Sequence, residues 1–135
     1  METTIFDNDI KVFYVTATSF PAGVMEAHKK IHSLVPLTGE RKYFGLSRPE
    51  NGIITYRAAV EEKYEGEGEK FGCDTLVLKK GKYICKVITD FMKDLPAIGN
   101  TFQQMLSHPN IDPQGYCVEW YFNEKDLRCM VRLAD

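Results

Sequence analysis

The sequence predicts an α+β domain made of two successive β-α-β-β units. Three observations carry this. Two apolar stripes, Val24-Ala27-Ile31-Leu34-Val35 and Leu95-Ile98-Phe102-Met105-Leu106, run at the same helical intervals of 3, 4, 3 and 1. Each stripe is preceded by one β-branched and aromatic run and followed by two more. The 135 residues, 44% hydrophobic and 27% charged, make one ordinary domain, so the two units must share a core.

The elements follow in order. Residues 11–18 (KVFYVTAT) read as a strand. Pro21 suits the first turn of the helix that carries the first stripe, and Pro36 and Gly39 stop it. Residues 42–47 (KYFGLS) form a short strand, Pro49-Glu50-Asn51-Gly52 a turn, and residues 53–62 (IITYRAAVEE) the third strand. Residues 63–72 (KYEGEGEKFG) form a solvated linker. Its glycine spacing, G-x-G-x-x-x-G, with no helix directly after it and three glutamates within it, does not suit a phosphate cradle. The second unit opens with a long strand over residues 75–89, bent at Gly81. Asp94 caps the second helix, with Pro96 in its first turn, and His108-Pro109 ends it. Residues 116–122 (YCVEWYF) and 127–133 (LRCMVRL) are the last two strands, joined by a turn at residues 123–126. The pseudo-repeats are therefore residues 1–65 and 66–135.

Composition removes several classes of function. A net charge of −2, with no basic stripe and no helix-turn-helix pair, leaves no surface for direct nucleic-acid binding. The longest stretch without an acidic or basic residue, 95–111, is too polar to cross a bilayer, and the start Met1-Glu2-Thr3-Thr4 has no secretory pattern. A cytoplasmic protein is expected. Cys73, Cys85, Cys117 and Cys129 lie at spacings of 12, 32 and 12, without the close pairs of a structural zinc site, and read as buried thiols. His28 and His32 stand at helical spacing but flank Lys29 and Lys30 and have only His108 as a third histidine. Neither a metal nor a cofactor is expected.

Chemistry concentrates in residues 116–122. Alternation places Tyr116, Val118, Trp120 and Phe122 on one face, read as the helix-covered core, and Cys117, Glu119 and Tyr121 on the other. Glu119 has two readings. One is a strand carboxylate paired with Arg57, Lys82 or Arg128. The other is a carboxylate at the bottom of an aromatic cleft, whose desolvation a cationic or hydrogen-bonding ligand would offset.

From about Val12 to Leu133 the chain resembles the GyrI-like small-molecule-binding domain, the effector-binding domain of multidrug-responsive bacterial transcription activators, also found alone. The motifs are Tyr43-Phe44-Gly45 followed by Ile54-Thr55-Tyr56, then Leu78-Lys79-Lys80-Gly81-Lys82-Tyr83, and Glu119-Trp120-Tyr121, similar to the family's E-x-Y. The chain departs from the family at Met130-Val131-Arg132-Leu133, where an isoleucine-proline ending is common, and at Asn123-Glu124, where an Asp-Pro turn is usual. The resemblance implies an antiparallel sheet curved around a central groove, with both helices on its outer face. It implies Glu119 in that groove with Tyr121 and Tyr83, and Tyr56 and Phe44 on its wall, meeting hydrophobic cationic small molecules. Some relatives are hydrolases of electrophilic compounds; the matching parts are Glu119 as general base and Tyr83 or Tyr121 as hydrogen-bond donor. A regulator acting through a protein partner is a third reading.

Overall fold

A computed structural model describes residues 1–36 and 40–135 of the chain, so Gly39 as a helix stop lies outside the described residues. The elements are β1 (Glu2–Phe6), β2 (Ile10–Thr16), α1 (Val24–Leu34), β3 (Tyr43–Glu50), β4 (Ile53–Glu61), α2 (Glu67–Lys70), β5 (Asp74–Leu78), β6 (Gly81–Ile88), a 3-10 turn (Phe91–Lys93), α3 (Pro96–Leu106), β7 (Cys117–Trp120) and β8 (Leu127–Arg132). The eight strands form one antiparallel sheet in the order β1-β6-β8-β7-β3-β4-β2-β5. No helix among the described residues is long and apolar enough to cross a membrane.

Four local expectations are corrected. Glu2–Phe6 is a strand, paired with β6 at the sheet edge; its single inward aromatic, Phe6, gave too little alternation to announce it. The long strand over 75–89 is two strands. Gly81 sits at φ +134°, which only glycine adopts readily, and the chain turns there, so that β5 joins β2 while β6 joins β1 and β8. The linker is not wholly solvated: α2 lies within it, and its Glu67 and Gly68 are buried. The second helix starts at Pro96, with no side-chain cap from Asp94.

Both helices lie on one face of the sheet. α1 packs on β2 and β4, placing Ala27 and Ile31 against Phe13, Ala58 and Val60. α3 packs on β6 and β8, placing Phe102 and Met105 against Ile84, Leu127 and Val131. The other face carries no helix, yet Val12, Phe44, Leu46 and Met130 on it are 0% exposed. Residues without a covering layer reach that burial because the sheet curls over them, and the helices stand on the outside of the curl.

The curl decides the direction of β7. Val118, Trp120 and Tyr116 belong to the helix-free core inside the curl, whereas Cys117 and Tyr121 meet the helix-side clusters. The alternation read from the sequence holds, but the face assigned to the helices is the opposite one, so Glu119, expected inside the groove, lies on the helix side of the sheet. A curled sheet has two apolar faces, and its interior takes the larger aromatic set.

Candidate functional site

α1 and α3 stand over the outer strands of their own halves, so the central pair β3–β7 forms the floor between them. Its register sets Gly45 opposite Glu119 and Ser47 opposite Cys117 on the helix side. Tyr121 contacts both helix-side clusters and marks the seam where they meet.

Glu119 is the centre of a hydrogen-bonded chain. The Tyr56 hydroxyl, from β4, donates to Glu119 Oε1 at 2.8 Å, and the Tyr121 hydroxyl donates to the same oxygen at 2.5 Å. His28 Nε2, from α1, lies 2.7 Å from the Tyr56 hydroxyl oxygen. Tyr56 and Glu119 sit on strands either side of β3, and they reach each other only because Gly45 has no side chain. A Cβ there would fall inside the contact distance of both the Tyr56 hydroxyl and Glu119 Oε1. Rings close the surroundings: His28 and Phe91 each stand 5.4 Å from Tyr121 in edge geometry, and Phe20, itself 47% exposed, stacks on Tyr56 at 6.0 Å.

The electrostatics are unusual for a strand carboxylate. Glu119 is 9% exposed and, among the described residues, forms no ion pair. Burial raises its pKa, and the two tyrosine hydroxyls only partly counter that. Both hydroxyls fall on Oε1; no donor among the described residues reaches Oε2. Burial and the neighbouring carboxylate also push the Tyr56 and Tyr121 hydroxyls up, so both stay protonated donors. Burial, with His32 nearby, lowers His28 to about 4, leaving it neutral at pH 7. Burial lifts the thiols of Cys117, to about 11, and of Cys129, the residue directly across from Glu119, to about 12. The arrangement is a neutral, aromatic enclosure around one carboxylate with one open oxygen.

The fold has counterparts among solved structures. The integron cassette protein VCH_CASS2, from the mobile metagenome of Vibrio cholerae, shares it over 98% of this chain and 94% of its own, with a TM-score of 0.73 and 13% identity. SAV2435, solved bound to tetraphenylphosphonium, matches over 98% of this chain and 92% of its own, with a TM-score of 0.68 and 13% identity. A hydrolase from Listeria innocua matches over 98% and 90%, with a TM-score of 0.53 and 8% identity. At these identities the likeness is one of fold. No protein-family model matches the chain, and no curated protein matches it in sequence.

The structure brings together three of the residues singled out in the sequence: Glu119, Tyr121 and Tyr56. It places the other two elsewhere. Phe44 lies in the helix-free core, 6.4 Å from the Trp120 ring. Tyr83 lies in the same core, 5.0 Å from Phe6, with its hydroxyl donating to the Lys79 carbonyl at 2.6 Å. The cations considered as partners of Glu119 are engaged differently: Arg57 pairs with Glu50 at 2.8 Å, and Arg128 lies over the Trp120 ring at 5.3 Å. Two contributors were not read as site residues. Gly45 stood within a quoted motif, and a glycine inside a strand is itself a signal of close approach. His28 lay beside the apolar stripe of α1, and only the docking of α1 on β4 brings it to Tyr56.

Proposed function

We propose that this chain is a binding protein for hydrophobic, cationic small molecules, of the GyrI-like effector-binding type. Glu119 is the anchor, and Tyr121, Tyr56, His28 and Phe91 are the wall. Tyr83 and Phe44, on the far side of the sheet, stand outside this site. The observation that carries the reading is a buried carboxylate that has hydrogen-bond donors but, among the described residues, no protein cation. Taking a carboxylate out of water costs several kcal/mol unless a charge compensates it, and here the compensating charge is left to the ligand. Aromatic faces add about 0.5–2 kcal/mol each toward a desolvated cation. That SAV2435, with the same fold, was solved with tetraphenylphosphonium supports the same class of ligand.

The test is a titration of tetraphenylphosphonium against wild type and Glu119→Gln at pH 5 and pH 8. Because burial raises the Glu119 pKa, a larger fraction is protonated at pH 5, so wild type is expected to bind more weakly there than at pH 8. Glu119→Gln is expected to bind weakly at both. Equal affinity under all four conditions overturns the reading. A second reading rests on the short contact between the Tyr121 hydroxyl and Glu119, which is also the geometry of a general base beside a donor. In that case an electrophilic substrate is turned over by wild type and bound unchanged by Glu119→Gln.

A further inference from the structure

Tyr56 has one hydroxyl proton and three polar neighbours, one of which, the Tyr121 hydroxyl, already gives its own proton to Glu119. Glu119 Oε1 lies 2.8 Å away and, as a carboxylate, can only accept. His28 Nε2 lies 2.7 Å away and can donate or accept, depending on its tautomer. With the Tyr56 and Tyr121 protons both given to Glu119, the contact with His28 is satisfied only when His28 carries its proton on Nε2. The chain then runs in one direction, from imidazole to phenol to carboxylate. Each donor polarises the next, which strengthens the hydrogen bond that reaches the carboxylate.

We propose that His28 is the positioning residue of the site: by donating from Nε2 to the Tyr56 hydroxyl, it commits that hydroxyl's only proton to Glu119 and holds the carboxylate as an acceptor for the cation. This rests on the cation-binding reading for its ligand, though not for its geometry. Ala27 and Ile31 fix the neighbouring turns of α1 in the core, which holds the imidazole over β4. The titratable groups facing His28 are His32 on its own helix, with ring centroids 6.1 Å apart, Tyr56 from β4 at 5.6 Å, and Tyr121 after β7 at 5.4 Å, with Glu119 of β7 beyond the two tyrosines. Neither tyrosine is charged at neutral pH, and the Glu119 carboxylate meets His28 only through their hydroxyls. The burial that keeps its imidazole neutral is consistent with the single-donor arrangement.

The experiment has a reading that needs no ligand. The Glu119 carboxyl is titrated by carbon NMR in wild type, His28→Ala and His28→Gln, and tetraphenylphosphonium affinity is then measured across pH 5 to 9. In His28→Ala the Glu119 midpoint is expected to rise. Affinity at pH 7 is expected to fall by about twofold to tenfold, the worth of one net hydrogen bond, and to converge on wild type where Glu119 is ionised in both. His28→Gln, whose amide can donate to Tyr56, is expected to restore most of both effects. In a Tyr56→Phe background, His28→Ala is expected to leave the Glu119 midpoint unmoved. Should His28→Ala fail to fold, His28→Leu keeps the bulk, lacks the donor and carries the same comparison. An unchanged Glu119 midpoint in the donor-less variant overturns the proposal, as does a loss of affinity that is equal at every pH and not rescued by glutamine. If no variant, wild type included, binds the cation, the binding reading fails, while the NMR midpoints still decide the role of His28.

Discussion

A methyl group at position 45 would occupy the space in which the Tyr56 hydroxyl meets Glu119. The site therefore depends on a residue that contributes no functional group. Gly45→Ala is expected to separate the pair, to reduce cation affinity nearly as far as Glu119→Gln does, and to cost about 1–3 kcal/mol of stability, the range for overpacking a filled core. Binding titration and urea unfolding measure the two effects. Intact affinity in that variant would show that Tyr56 is dispensable to the site. At this scale the sequence was informative where the chemistry is local. Glu119 and Tyr121 are two residues apart and share a strand face, so alternation alone put them together. Tyr56 stands 63 positions from Glu119, and its partnership depends on three neighbouring strands in one register.

The segment between the halves shows the same dependence among elements. Its run of glycines and glutamates is that of an exposed linker, yet Glu67 is 4% exposed. Burial alone would raise its pKa, but the Arg41 guanidinium, bidentate at 3.0 Å to both carboxylate oxygens, and the Lys63 backbone N–H at 2.8 Å bring it below the ordinary value. The contact ties α2 to the chain entering β3. Arg41→Ala would strand a buried carboxylate, and a loss of about 3 kcal/mol at pH 7 is expected in urea unfolding. Because the folded-state pKa is depressed, the contribution of the pair is present above the usual carboxylate range and is lost as pH falls through the lower folded value. The difference between wild type and Arg41→Ala should accordingly narrow in acid. A pH-independent difference would place the effect in packing instead of charge.

For the whole molecule, the strand order reads the same from either end when β1 to β4 are exchanged with β5 to β8. β1 begins at residue 2 and β5 at 74; α1 begins at 24 and α3 at 96, the same interval in both cases. We propose that the chain is an internal duplication with units at residues 1–65 and 66–135, related by a rotation about the β3–β7 pair. The first strand of each unit pairs with the other: β1 with β6 and β5 with β2. Each unit alone would expose the outer side of its second strand and leave half of the helix-free core uncovered. The two fragments, expressed separately, are expected to lack a cooperative thermal transition and to regain one on mixing. A cooperative transition in either fragment by itself would show that the strand exchange is not required for folding.

The sequence by itself determined the periodicities, and with them both long helices, most of the strands and the E-x-Y pair at Glu119 and Tyr121. These are local properties, set by which residues tolerate a helix or an extended chain and by which side of each element is apolar. It did not determine which side of β7 the helices cover, because a curled sheet has an apolar face on both sides and alternation is symmetric between them. Nor did it give β1, whose strand partner lies at residues 81–85, or the placement of His28 beside Tyr56. Those depend on contacts between distant parts of the chain, and it is the docking of α1, the register of β3 and β7 and the curl of the sheet that set a carboxylate, two phenols and an imidazole within hydrogen-bonding reach of one another.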